Sequence, residues 1–146
     1  MKTASRSAEI DAPAATVFAF LVDPANLPRW MGGIVSAQPL TDGPVRVGSM
    51  ARVVRELLGQ RITADVRLTS IEPGRHVSLT TSASGMRVDA TLDVEPLGER
   101  RSRVTFGMRV EAENMFMKAV EPMVAQAAEG DVGASLERLQ TELSGE

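Results

Sequence analysis

Few residues in this 146-residue chain could do chemistry, and the scarcity narrows the choice of function. There is one histidine, His76, and no cysteine, so disulfides, thiolate metal sites and a cysteine nucleophile are out of reach. With a single imidazole and no acidic cluster at ligand spacing, zinc or iron would find no site, and neither a metal nor a cofactor is expected. No G-x-S-x-G is present, and His76 has no evident serine partner. It follows a turn on the polar side of its strand and reads as an exposed or edge residue. An acid–base enzyme needs titratable groups inside a cavity, within hydrogen-bond reach of substrate. Arg52 and Glu56 would qualify if the strand Ser49–Leu57 turned Met50, Arg52, Val54 and Glu56 inward. Both of its faces carry apolar residues and an arginine, which leaves its phase open. Arg87 is a weaker candidate near a strand end. The competing reading puts all three on the surface, because long charged side chains keep their heads in water. No catalytic residue is assigned.

The second group with chemical character is soft and apolar. Eight methionines outnumber four phenylalanines, one tryptophan and no tyrosine. Methionine is flexible and polarizable, and it suits irregular or adaptable apolar surfaces. Trp30, Met31, Met50, Met86, Met108, Phe116, Met117, Val120 and Met123 could line a cavity, with Arg52 and Glu56 as its polar contacts. The competing reading is that the apolar ones pack a core. Trp30 would sit at the mouth, just before Gly32-Gly33.

These side chains must be positioned by the elements that the periodicity defines. The thirty residues from Asn114 to Leu143 read as a helix. Asn114 is a good N-cap, and Phe116, Val120, Met123, Ala127, Val132, Leu136, Leu139 and Leu143 recur at helical spacing. Such a helix would be roughly 43 Å long. Its first half is rich in Met and Ala and its last in Leu, so the soft half could roof a cavity while the leucine half clamps a sheet. Gly130 and Gly133 weaken the middle. Pro122 should kink the helix or mark its true first turn.

Upstream, Ser5 to Asp11 alternates as a first strand. Pro13 and Asp23-Pro24 then open two short helices, the second ending near Leu27-Pro28. From Ile34 the pattern is period two for about eighty residues. Strands are expected at Ile34–Leu40 and Ser49–Leu57, then around Ile62–Leu68, Val77–Thr81, Met86–Val94 and Val104–Val110. Gly59, Pro73-Gly74, Ser84-Gly85 and Gly98 supply the turns. The inward series from Ile62 to Met108 contains no titratable residue. About seven antiparallel strands would curl into a sheet that is apolar on one face and wet on the other. The expected architecture is α+β, one domain over residues 1–146.

A charged fraction of 24% and a hydrophobic fraction of 43% are ordinary for a soluble globular protein. A net charge of −3 argues against a nucleic-acid partner. No apolar run approaches a membrane span. No signal-peptide h-region is visible, so a cytoplasmic protein is expected.

The motifs resemble a known superfamily. Ser7-Ala8-Glu9-Ile10-Asp11-Ala12-Pro13, with Val17-Phe18 beyond the proline, is similar to the opening of START-like (SRPBCC) proteins. Asp23-Pro24-Ala25-Asn26-Leu27-Pro28-Arg29-Trp30 resembles their next segment, where a Trp ends the second helix. Gly43-Pro44-Val45-Arg46-Val47-Gly48, Glu72-Pro73-Gly74-Arg75 and Leu136-Glu137-Arg138-Leu139 fit downstream. The nearest resemblance is to bacterial proteins labelled polyketide cyclase/dehydrase or lipid-transport-like. It implies a helix-grip fold with an elongated cavity between the sheet and the long helix. Members bind lipids, sterols, polyketides or hormones there; some catalyse cyclisation or aromatisation, and others bind proteins. A shared fold does not choose among these. The expectation is binding of a small hydrophobic or lipid-like molecule, with a polyketide cyclase/aromatase or a protein-binding module as alternatives.

Overall fold

The structure is a computed structural model that describes residues 2–144 apart from Gly32, Leu58 and Ser84, and does not cover the side chains of Lys2, Leu57 and Ser144. The break expected at Gly32 and the turn residue Ser84 lie outside the described residues. Strand β1 (Lys2–Ile10) is followed by α1 (Ala14–Val22), a 3-10 turn (Pro24–Asn26) and α2 (Leu27–Trp30). Six strands follow in succession: β2 (Ile34–Pro39), β3 (Met50–Leu57), β4 (Gln60–Glu72), β5 (His76–Ala83), β6 (Met86–Gly98) and β7 (Arg101–Ala112). Two helices close the chain, α3 (Met115–Lys118) and α4 (Glu121–Ser144).

The strands form one seven-stranded antiparallel sheet in the order β1-β7-β6-β5-β4-β3-β2. Strands β2 to β7 are the meander that the alternation implies. Pairing of β1 with β7, Lys2 opposite Val110 through Ile10 opposite Ser102, is long-range and carries no local signal. Register shifts between Ile34 and Ser36, Leu68 and Ser70, and Pro96 and Gly98 add bend and twist, as β-bulges do.

The short helices form where the prolines announce them. Pro13 lies one position earlier than expected, as the residue before the first turn of α1. Val17, Phe18 and Leu21 are the buried side of α1. Asp23 caps the 3-10 turn by accepting from the Ala25 N–H at 3.0 Å, with Pro24 supplying a fixed φ at the first position.

The C-terminal segment departs from the expected single thirty-residue helix. Asn114 does cap its start, accepting from the Met117 N–H at 2.9 Å. That first helix ends after four residues, and α4 begins at Glu121 with Pro122 in its first turn. Proline there cannot donate to the preceding turn, so the break falls before it. At 24 residues α4 is about 36 Å long, somewhat shorter than the thirteen-residue strands β4 and β6 at about 43 Å. Its buried stripe is Val124, Ala128, Val132, Leu136 and Leu139. It packs closely on β1, β7, α2 and α3. Each of Val132, Leu136 and Leu139 contributes about 1.5–3 kcal/mol by burial, which makes this half the clamp. No described helix is long and apolar enough to cross a membrane.

Candidate ligand-binding site

Where α4 stands off from the centre of the sheet, a cavity of about 290 Å³ remains. Its floor is the inner face of β4 to β7, including Ala64, Val88 and Met108. Its roof is Met117 of α3, Val120 before α4, and Val124 and Ala128 of α4. Small and flexible side chains leave this space open. Arg55, Gln60 and Thr81 supply the polar lining. The Thr81 hydroxyl donates to the Asp65 carbonyl at 3.0 Å, which leaves its lone pairs available as acceptors.

Arg55 is the one charged residue on the described lining, and it is not among the residues expected at the site. Its side chain is only 13% exposed. The hairpin register explains its direction: Leu57 pairs with Gln60, so Arg55 pairs with Ile62 and Val53 with Ala64. Cross-strand partners share a face, and Ile62 and Ala64 belong to the inner one. Counting back from the turn residue Gly59 was the signal that could have found it.

Behind Arg55 lies Asp131 of α4, with Oδ2 3.4 Å from the Arg55 Nη2. Burial pushes the Asp131 carboxyl above the usual carboxylate range, against the opposing pull of Arg55. The Arg55 Nε is buried with no hydrogen-bond partner among the described residues. An unmet buried donor costs about 1–3 kcal/mol, more on a charged group. Gly33 makes room for this pair. Its φ is +86°, and a Cβ there would lie 3.3 Å from both Asp131 Oδ2 and the Glu56 carbonyl.

Of the residues expected at the site, Met86, Met108, Met117 and Val120 line the cavity. Met31 borders a separate void of about 30 Å³ that shares Arg55 and Met108 with it. Met50 borders a hollow of about 50 Å³ near α1 and the 3-10 turn, beside Leu21 and Val22. Trp30 is not at a mouth. It is fully buried, edge-on to Phe106 with ring centroids 5.5 Å apart, and its Nε1 has no partner among the described residues.

Arg52 and Glu56 lie on the opposite face of β3 from the cavity, a correction to their expected role as polar contacts. They alternate with the inward Ala51, Val53 and Arg55, so the strand has the phase opposite to the one that would admit them. Arg52 pairs with Asp65 at 2.9 Å, and Glu56 with Arg61 at 3.5 Å. The hydrogen bond from Arg52 holds the Asp65 carboxyl below its ordinary range.

Phe116 and Met123 are corrections of the same kind, 87% and 55% exposed. The break before Glu121 resets the helical phase, so Val124 and Ala128 occupy the inward positions that counting from Phe116 assigns to Met123 and Ala127. Arg87 pairs with Asp89 at 3.2 Å in an exposed setting. His76 bridges Asp93 at 2.6 Å and Ser78 at 2.9 Å on the polar side of β5. No group of three potential ligands for a metal ion occurs among the described residues.

A curved sheet holding a long helix over an apolar cavity defines a helix-grip protein. The family described as polyketide cyclase / dehydrase and lipid transport matches residues 1–144, and the chain belongs to it. Among solved structures, a START superfamily protein from Mycobacterium smegmatis superposes with a TM-score of 0.83 at 16% identity, covering 99% of each chain. The Zhui aromatase/cyclase from Streptomyces sp. R1128 gives 0.82 at 15% identity, over 98% of this chain and 93% of that one. A protein from Arthrobacter aurescens gives 0.74 at 26% identity, over 99% and 87%. The search of curated proteins returned no match. Family and fold are consistent with ligand binding or with cyclase chemistry.

Proposed function

We propose that this protein binds one small, largely apolar molecule between the sheet and the first half of α4. The observation that supports this reading is the cavity itself: about 290 Å³, walled mainly by Ala, Val, Ile and Met. Small-molecule sites run from about 300 to 1,000 Å³ and combine apolar walls with a few polar groups. A volume at the lower edge of that range suits a compact or single-chain molecule rather than a two-chain lipid. Binding would be driven by removing apolar surface from water, at about 25 cal/mol per Å².

The test is native mass spectrometry of protein purified from its own host, with extraction of any adduct, alongside titration with the neutral apolar fluorophore N-phenyl-1-naphthylamine. A one-to-one adduct, or saturable probe binding that Val120→Trp abolishes in a folded variant, is the expected result. Absence of both adduct and probe binding overturns the reading.

A second reading, a cyclase or aromatase using the same space, draws on one observation. Arg55 puts a hydrogen-bond donor on the cavity lining, backed by the Asp131 carboxyl, which burial holds above the usual carboxylate range. Turnover of an extracted ligand would distinguish it from simple carriage.

A further inference from the structure

We infer that the molecule held in this cavity is an acid, whose anionic oxygens are met by the guanidinium of Arg55 while its apolar body lies under α4. The inference rests on the binding reading above and deepens it. Apolar walls alone would be served by any hydrophobe, and they would be served better without a cation among them. A buried charge is stable only where its donors are met.

Arg55 is poorly met by the protein. It has five N–H donors, yet its one protein partner among the described residues is Asp131, through a single contact of 3.4 Å. That distance is long for a charge-assisted bond, where about 2.7–2.9 Å is usual. Several other arginines find closer partners: Arg52 lies 2.9 Å from Asp65 and Arg103 2.9 Å from Glu95. Those pairs are half exposed, where water could serve as well. Arg61 also stands off from its partner, at 3.5 Å, but its side chain is 67% exposed and water can meet it, whereas Arg55 is 13% exposed.

The surroundings favour an anion over a neutral polar group. Gln60 and Thr81, which share the lining with Arg55, bring no negative charge. Asp131 is not part of that lining and stands behind the guanidinium on α4. Among the described residues, its carboxyl is the one anion an incoming acid would have to share Arg55 with. A planar carboxylate or sulfonate suits a guanidinium because two oxygens can meet two N–H groups at once.

The inference is tested with two fluorophores of one ring skeleton. 1-Anilinonaphthalene-8-sulfonate carries an anionic group that N-phenyl-1-naphthylamine lacks. Both are titrated into the wild type, Arg55→Met and Asp131→Asn, with near-UV circular dichroism confirming the native fold of each. Arg55→Met should weaken the sulfonate by about tenfold or more, as loss of hydrogen bonds to a charged group does, and leave the neutral probe little changed. Asp131→Asn should tighten the sulfonate, because a competing carboxylate is gone. If Arg55→Met does not fold, the double variant Arg55→Met with Asp131→Asn carries the same comparison without an unpaired buried carboxylate.

Equal losses for both probes would overturn the inference, making Arg55 a wall residue without selectivity. So would a wild type that binds the neutral probe and not the sulfonate, although the binding reading would then stand. If neither probe binds and no adduct is recovered, the binding reading fails and takes this one with it; a recovered adduct that is not an acid overturns this inference alone.

Discussion

Ala128→Leu probes whether the space under α4 is open. Ala128 is buried on the inward stripe of α4 and lines the cavity, and leucine is nearly as good a helix former as alanine. The variant adds three carbons. At about 0.8 kcal/mol per buried methylene they bring about 2 kcal/mol of stability if they enter empty space. For a domain of this size that raises Tm by roughly 4–8 °C. In a filled core the same carbons would instead force off-rotamer packing and cost about 1–3 kcal/mol. The sign therefore decides between a cavity and a core.

Urea unfolding with and without saturating N-phenyl-1-naphthylamine supplies both readings. In the wild type, probe at a hundred times its Kd should add about 2.7 kcal/mol. In Ala128→Leu that increment should largely vanish, because the leucine occupies part of the 290 Å³ the probe needs. A variant that loses more than about 1 kcal/mol and still gains the full increment from probe would refute the reasoning.

Two further outcomes follow from local geometry. Because burial raises the Asp131 pKa, the native state holds that proton more tightly than the unfolded chain does. The contribution of Asp131 to stability is therefore fullest in acid and falls as pH rises from the ordinary carboxylate value through the raised native one. The stability of the wild type relative to Asp131→Asn should decline over that window in urea unfolding at a series of pH values, and a rising difference would contradict the assignment. Gly85→Ala places a Cβ 2.7 Å from Met117 Cγ at a φ of +79°. It should cost about 1–3 kcal/mol in urea unfolding and, by displacing a roof residue, change the affinity for the neutral probe.

What the sequence made legible was local. Strict alternation from Ile62 to Leu68 and from Met86 to Val94 identified strands, and Asn114 and Asp23-Pro24 identified helix starts, because each signal is contained within a turn or two of chain. The partner of β1 was not legible, since nothing near Lys2–Ile10 encodes its pairing with β7 about a hundred residues away. At the site, the errors were errors of phase. In β3 both faces carry apolar side chains and an arginine, and only the register inherited through the hairpin turns Arg55 inward and Arg52 outward. In the C-terminal segment the apolar stripe was counted through a break, and four residues of unconnected helix sufficed to carry Phe116 and Met123 to the surface. A phase slip leaves an element correctly identified and its functional face reversed. The architecture is therefore more legible in the sequence than the lining.

The placement of Trp30 has a spectroscopic consequence. It is the only tryptophan, there is no tyrosine, and it is fully buried against Phe106. Intrinsic emission therefore comes from one indole in the native core, with no surface tryptophan to dilute it. A blue emission maximum marks intact packing between α2 and β7, and its red shift marks the entry of water there. Trp30 neighbours Met31, whose small void shares Arg55 and Met108 with the larger cavity. The protein thus carries a single internal tryptophan next to Met31, which borders the small void beside the cavity, and no label is needed to follow that region in solution.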